Sequence, residues 1–166
     1  MLQLRQYTGK QKVSYLREGD VAHAGEMESI DVVMQSFSKD KDHNILDVGC
    51  GLGGTANYIQ SNEWGAVTGI DIEEQSILYA KQNYPDLDFY CVDATQVDKT
   101  LKNKTFDIIV LFNVYYAFYD QLKTLKALSK ITVTGHVENA SGALLSGYNG
   151  LVYPTVFDKR KTRHLF

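Results

Sequence analysis

A chain of 166 residues, 44% hydrophobic and 22% charged, has the length and balance of one globular domain. Its net charge of −3 gives no bulk attraction to nucleic acid, and no apolar run is long enough for a membrane span. Residues 1–10 lack the apolar core of a signal peptide, and Cys50 and Cys91, in or beside strand ends expected to be buried, form neither a C-x-x-C pair nor a zinc spacing. A reducing, cytoplasmic setting without a bound metal is therefore expected.

In chain order, the first 40 residues predict a lid followed by a helix. The opening stretch carries Gln6, Tyr7, Thr8, Tyr15, His23 and Gly25. Over 26–37, Met27, Ile30, Val33, Met34 and Phe37 fall at helical spacing with one buried face. Apolar strands are then predicted at 44–48, 66–70, 87–92 and 106–111. Helical segments at 53–62, 73–83 and 95–101 separate them, and Pro85 stops the second. A last helix is expected over 119–130, with Leu122, Leu125 and Leu128 on one face. Strand–helix alternation of this kind predicts an α/β, Rossmann-like, doubly wound and mostly parallel sheet with helices on both faces. Short, almost wholly apolar strands such as 106–111 fit a sheet covered on both sides.

The tail after Lys130 differs in composition. Residues 131–137 are β-branched and roughly alternating, as in a fifth strand. Residues 143–153 suggest a hairpin, with Tyr148, Asn149 and Gly150 at the turn. The organisation expected is a ligand-binding domain over 1–130 and an atypical, short C-terminal segment of the same domain over 131–166. So short a segment suggests an incomplete sheet there, and an uncovered sheet edge, or the lid, would suit pairing of two copies.

The densest chemical signal lies at 45–54, Ile-Leu-Asp-Val-Gly-Cys-Gly-Leu-Gly-Gly. A strand runs into an acid, then into a glycine loop, then into a helix whose first N–H groups are unpaired. Gly49, Gly51 and Gly54 satisfy the G-x-G-x-x-G spacing of a dinucleotide site, and Gly49, Gly51 and Gly53 equally satisfy G-x-G-x-G. Asp47 favours the second. A carboxylate beside the loop repels a pyrophosphate and attracts an ammonium. S-adenosyl-L-methionine carries an α-ammonium and a sulfonium and no phosphate, and so fits better than NAD. Asp71 follows the strand at 66–70, about 20 residues beyond the loop, where an acid reaches ribose hydroxyls. Asp93 follows the third strand and Asn113 the fourth. Each acid alone could equally be a turn or helix cap. Their placement at successive strand ends speaks for a shared ligand.

With these residues the chain resembles the class I S-adenosylmethionine-dependent methyltransferases. The resemblance rests on Leu46-Asp47-Val48-Gly49-Cys50-Gly51, Gly69-Ile70-Asp71-Ile72, Asp93-Ala94 and Phe106-Asp107-Ile108-Ile109, and covers about 7–130. It implies that Asp47, Gly49, Cys50 and Gly51 hold the methionine moiety. Asp71 would bind the ribose and Asp93 the adenine amine, Ile72 and Ala94 would also touch the cofactor, and Asn113 would line the floor near the methyl group. Cys50 reads as a small packing residue rather than a nucleophile.

Gln6-Tyr7-Thr8, Tyr15 and Gly51-Leu52-Gly53-Gly54 resemble, more narrowly, the phosphoethanolamine N-methyltransferases. That likeness implies that Gln6, Tyr7 and Tyr15 contact the donor and close the site. Tyr7 becomes a catalytic candidate, and Ala22 and His23 lie on the stretch that touches the cofactor. Two positions depart. The histidine that family places four residues beyond the end of the fourth strand is Ala117 here, and the acid at the strand end is Asn113. This points from phosphobases toward a related small-molecule acceptor, with His23 as a candidate base. The aromatic run Tyr115, Tyr116, Phe118 and Tyr119 would either pack in the core or meet that acceptor. A cofactor-binding protein without turnover and an NAD-dependent oxidoreductase are the competing readings.

Overall fold

The computed structural model describes residues 9–17, 19–21, 25–132, 137–139 and 155–158. Gln6, Tyr7, His23 and the hairpin expected at 143–153 lie outside these residues.

Helix α1 (Gly9–Arg17) precedes α2 (Glu26–Met34). Then come β1 (Asn44–Val48), α3 (Gly54–Ser61), β2 (Ala66–Asp71), α4 (Glu74–Asn83) and β3 (Asp88–Cys91). A 3-10 turn at Ala94–Gln96 leads into α5 (Val97–Thr100), β4 (Ile108–Leu111) and a second 3-10 turn, Tyr115–Ala117. Helix α6 (Gln121–Ser129) follows, then β5 (Val137–Asn139) and β6 (Thr155–Asp158). The sheet order is β3-β2-β1-β4-β6-β5. The first four are mutually parallel, whereas β6 runs antiparallel to both β4 and β5. The expected doubly wound sheet is present, and the strand expected at 131–137 falls within the described residues only at its ends. Thr132 makes an isolated parallel bridge to Phe106, and Val137 begins β5.

Strand alternation sorts the core into two layers, because successive side chains point to opposite faces. Ile45, Ile108 and Val110 pack with Ile30, Met34, Ala56, Ile59, Ile77 and Ala80 from α2, α3 and α4. Leu46, Val48, Ile109 and Leu111 pack with Val97, Ala127, Leu128 and Ile131 on the α5 and α6 side. Trp64, the chain's one tryptophan, packs into the first layer just before β2 begins, at the amino end of the sheet.

Three side chains depart from expectation. Met27 is half exposed, so the buried stripe of α2 is Ile30, Val33 and Met34. Leu122 is largely exposed, whereas Leu128 is buried and Leu125 packs against the same layer as expected, and α6 also buries Thr124 and Ala127. Thr124 is tolerated there because its hydroxyl donates to the Asp120 carbonyl at 2.9 Å, which leaves no bare polar group in the layer. Cys91, at the end of β3, is exposed rather than buried.

Candidate functional site

The chain passes from β1 through α3 to β2 on one side and places β4 on the other side of β1. The strand order therefore reverses between β1 and β4, and a crevice opens there beyond the carboxyl ends. Register levels those ends: Asp47 lies beside Gly69 and Val110, and Asp71 beside Cys91. A cleft of about 760 Å³ occupies this crevice. Asp47, Gly49, Cys50, Gly51, Asp71, Ile72, Asp93, Ala94 and Asn113 all line it, together with Tyr116, Phe118 and Tyr119 from the segment after β4. The strand-end residues singled out in the sequence are thus brought together. Tyr15 lies on α1, more than half exposed, and is not among the lining residues.

The floor is a close backbone meeting. Gly49 turns at φ +77°, and a Cβ there would stand 2.5 Å from Val114 Cγ2, so only glycine fits. The Gly49 and Cys50 amides both donate to the Ile70 carbonyl, at 2.7 and 2.9 Å, which fastens the loop to the end of β2. Asn113 takes φ +51°, a left-handed conformation that asparagine tolerates better than most residues. The chain turns off β4 at this point, and Asn113 lines the cleft.

The acids play different parts. Asp71 is buried, and its carboxylate accepts from the Gly51 amide at 2.9 Å and the Glu73 amide at 2.9 Å. It is not the N-cap of α4, which is Glu73, yet it satisfies that residue's amide. Asp93 caps the turn behind β3, with Oδ1 accepting from the Thr95 amide at 2.8 Å. Asp47 is 1% exposed, and its Oδ2 finds no hydrogen-bond partner among the described residues. Burial, and then the negative charge of Asp71, push its pKa up to about 7. A carboxylate buried without a partner costs free energy until a cation or donor reaches it. The Cys50 thiol is pushed well above its ordinary pKa by burial and by the Asp47 and Asp71 charges, so it stays protonated and unreactive.

Two residues that the sequence did not mark complete the rim. Lys10 on α1 reaches into the cleft, its Nζ 3.2 and 3.1 Å from the two Asp71 oxygens and 3.2 Å from Glu73 Oε2. Burial works against its ammonium, but those carboxylates outweigh it and hold the pKa above the usual lysine value. Asp20, on a strap over residues 19–21, accepts from Ser14, from Tyr79 at 3.2 Å and from Tyr84 at 2.7 Å. The strap crosses the start of α3 so closely that a Cβ on Gly54 would lie 2.5 Å from the Asp20 carbonyl carbon. No local pattern announces either residue. Lys10 and Asp71 lie 61 positions apart, and Asp20 and Tyr84 lie 64 apart.

Among the described residues there is no cluster of His, Cys, Asp or Glu that could hold a metal ion, and no helix long and apolar enough to cross a membrane.

Known proteins share this fold. The chain is 30% identical over 128 residues to protein 235L of Invertebrate iridescent virus 6, which carries a methyltransferase name. That match covers 72% of this chain, and the chain spans 46% of the viral protein's length. Among solved structures, the plantazolicin methyltransferase BpumL in complex with SAH is similar at 25% identity and a TM-score of 0.53, over 63% of this chain and 40% of that one. A TehB-like SAM-dependent methyltransferase from Corynebacterium glutamicum shares the fold at 20% identity and a TM-score of 0.54, over 88% of this chain and 96% of that one. The family model described as "Methyltransferase domain" matches residues 39–139, from just before β1 through β5. With the glycine loop, the strand-end acids and more than half its length inside that match, the chain belongs to the methyltransferase-domain family.

Proposed function

We propose that this chain binds S-adenosyl-L-methionine in the β1–β4 crevice and transfers its methyl group to a small-molecule acceptor. The observation that carries the reading is Asp47: a buried carboxylate with an unpartnered oxygen, lining a cleft of nucleoside size. Such a group suits a ligand that brings an ammonium and repels one that brings a pyrophosphate. The SAH-bound relative BpumL supports the same donor. Bound there, the donor supplies a methyl group already activated on a sulfonium.

The residues divide the remaining task. Asp47 accepts from the α-ammonium, and Gly49, Cys50 and Gly51 let the backbone approach the methionine moiety. Asp71 accepts from the ribose hydroxyls, and Asp93 from the adenine amine. Ile72, 72% exposed in the cleft wall, and Ala94 give the adenine ring apolar surface. Asn113 holds the floor near the transferred group. Tyr116, Phe118 and Tyr119 exclude water from the acceptor side. Gln6 and Tyr7 close the lid. Tyr7 or His23 takes a proton where the attacking atom bears one. Alignment of acceptor and donor supplies most of the acceleration in a displacement of this kind. Two free cysteines suit a cytoplasmic setting, and pairing of two copies through the lid or sheet edge belongs to the same reading.

Calorimetric titration with S-adenosyl-L-methionine and NAD tests the donor: the first binds and the second does not. Radiolabelled methyl transfer into the low-molecular-weight fraction of a cell extract tests turnover. Tight donor binding without any labelled product would instead favour a binding protein.

A further inference from the structure

The Asp71 carboxylate has little capacity to spare. A carboxylate offers about four lone-pair sites. Two already accept backbone amides, from Gly51 and Glu73, and these bonds hold the loop and the start of α4. Lys10 stands within hydrogen-bond distance of both oxygens and takes the rest. Its aliphatic stem also lies across the glycine loop, with Cδ 3.9 Å from where a Gly51 Cβ would be. Both features place Lys10 over the ground that a ribosyl ligand needs. Glu73 offers the ammonium an alternative partner at 3.2 Å, so the lysine can leave Asp71 without losing its counter-charge.

We propose that Lys10 is an affinity-setting residue of the ribose subsite, a tethered cation that competes with the ribose hydroxyls for the Asp71 carboxylate and must swing onto Glu73 before the donor seats. This rests on the reading of the cleft given above. Lys10 neutralises an otherwise anionic corner formed by Asp71 and Glu73, and it ties α1 to the end of β2. Ligand entry exchanges that contact for hydroxyl donors and frees the start of α1. Apparent affinity is thereby lowered by the fraction of molecules in which Lys10 is engaged.

The test is calorimetry with S-adenosylhomocysteine, which keeps the ribose and the α-ammonium but lacks the sulfonium charge. Wild type, Lys10→Met and Lys10→Arg are compared at low and high ionic strength. Lys10→Met keeps the stem and removes the competitor, so it binds tighter by about fivefold, the scale of a part-exposed ion pair. Lys10→Arg stays near wild type. The wild-type affinity rises with salt, while that of Lys10→Met is flat by comparison. Equal or weaker binding by Lys10→Met, with wild type binding normally, overturns the competition and leaves the donor site standing. Failure of folded wild type to bind S-adenosylhomocysteine at all overturns both.

Discussion

Asp71 Oδ2 accepts from the Gly51 amide at 2.9 Å and so joins the end of β2 to the glycine loop that follows β1. One carboxylate thus shapes the loop and faces the cleft. Asp71→Ala strands the Gly51 and Glu73 amides and removes the ribose acceptor. It should weaken S-adenosylhomocysteine binding by about 1–3 kcal/mol by calorimetry. Unchanged affinity would reduce Asp71 to a loop-bracing role.

The second prediction concerns pH. Asp47 has a folded-state pKa of about 7 against an ordinary 3.8, raised by burial and by Asp71. The folded protein therefore holds a proton that the unfolded chain has released across that window. Stability of the ligand-free protein falls as pH rises from about 4 to about 7 and levels off above it. Asp47→Asn flattens that slope in denaturant titrations at stepped pH. Donor binding has the opposite preference, since the α-ammonium favours ionised Asp47. At pH 6 binding to wild type should release a proton, seen as a buffer-dependent heat, and Asp47→Asn should release none. The variant should lose about 1.5–3 kcal/mol of affinity.

At the cleft floor, Gly49→Ala puts a methyl group against Val114 at a backbone angle that alanine resists. A loss of about 1–3 kcal/mol in folding stability is expected. Val114→Ala introduced with it should recover part of that loss, because the clash is with the valine side chain. No recovery would mean that backbone strain alone sets the cost.

These positions also mark how far the sequence could be read. β1, β2 and β4 announced themselves as short apolar runs, and Asp47, Asp71, Asp93 and Asn113 could be placed because each ends a strand. Once the sheet is parallel, strand ends converge without further information. Lys10 and Asp20 could not be read, since an ion pair or a hydroxyl bond across some 60 positions leaves no periodic trace in the chain. On α6 the leucine pattern fails at one position only. Leu125 and Leu128 follow the leucine spacing, whereas Leu122 is largely exposed and Thr124, its hydroxyl bonded to the Asp120 carbonyl, faces inward.

The strap offers a fourth prediction. Tyr84→Phe keeps the ring and removes the hydroxyl that donates to Asp20 at 2.7 Å. A loss of about 1 kcal/mol is expected. Together with Tyr79→Phe, it should also quicken protease cleavage near residues 19–21, while cleavage elsewhere stays slow. Equal protection in the double variant would show that contacts other than Asp20 hold the strap down.

Trp64 sits at the opposite pole of the sheet from the crevice, wedged among core side chains and stacked beneath the Lys39 ammonium at 4.9 Å. The molecule thereby carries its own built-in optical gauge. Indole emission should therefore track global melting with little response to what enters the crevice, so melting curves with and without donor can be compared directly.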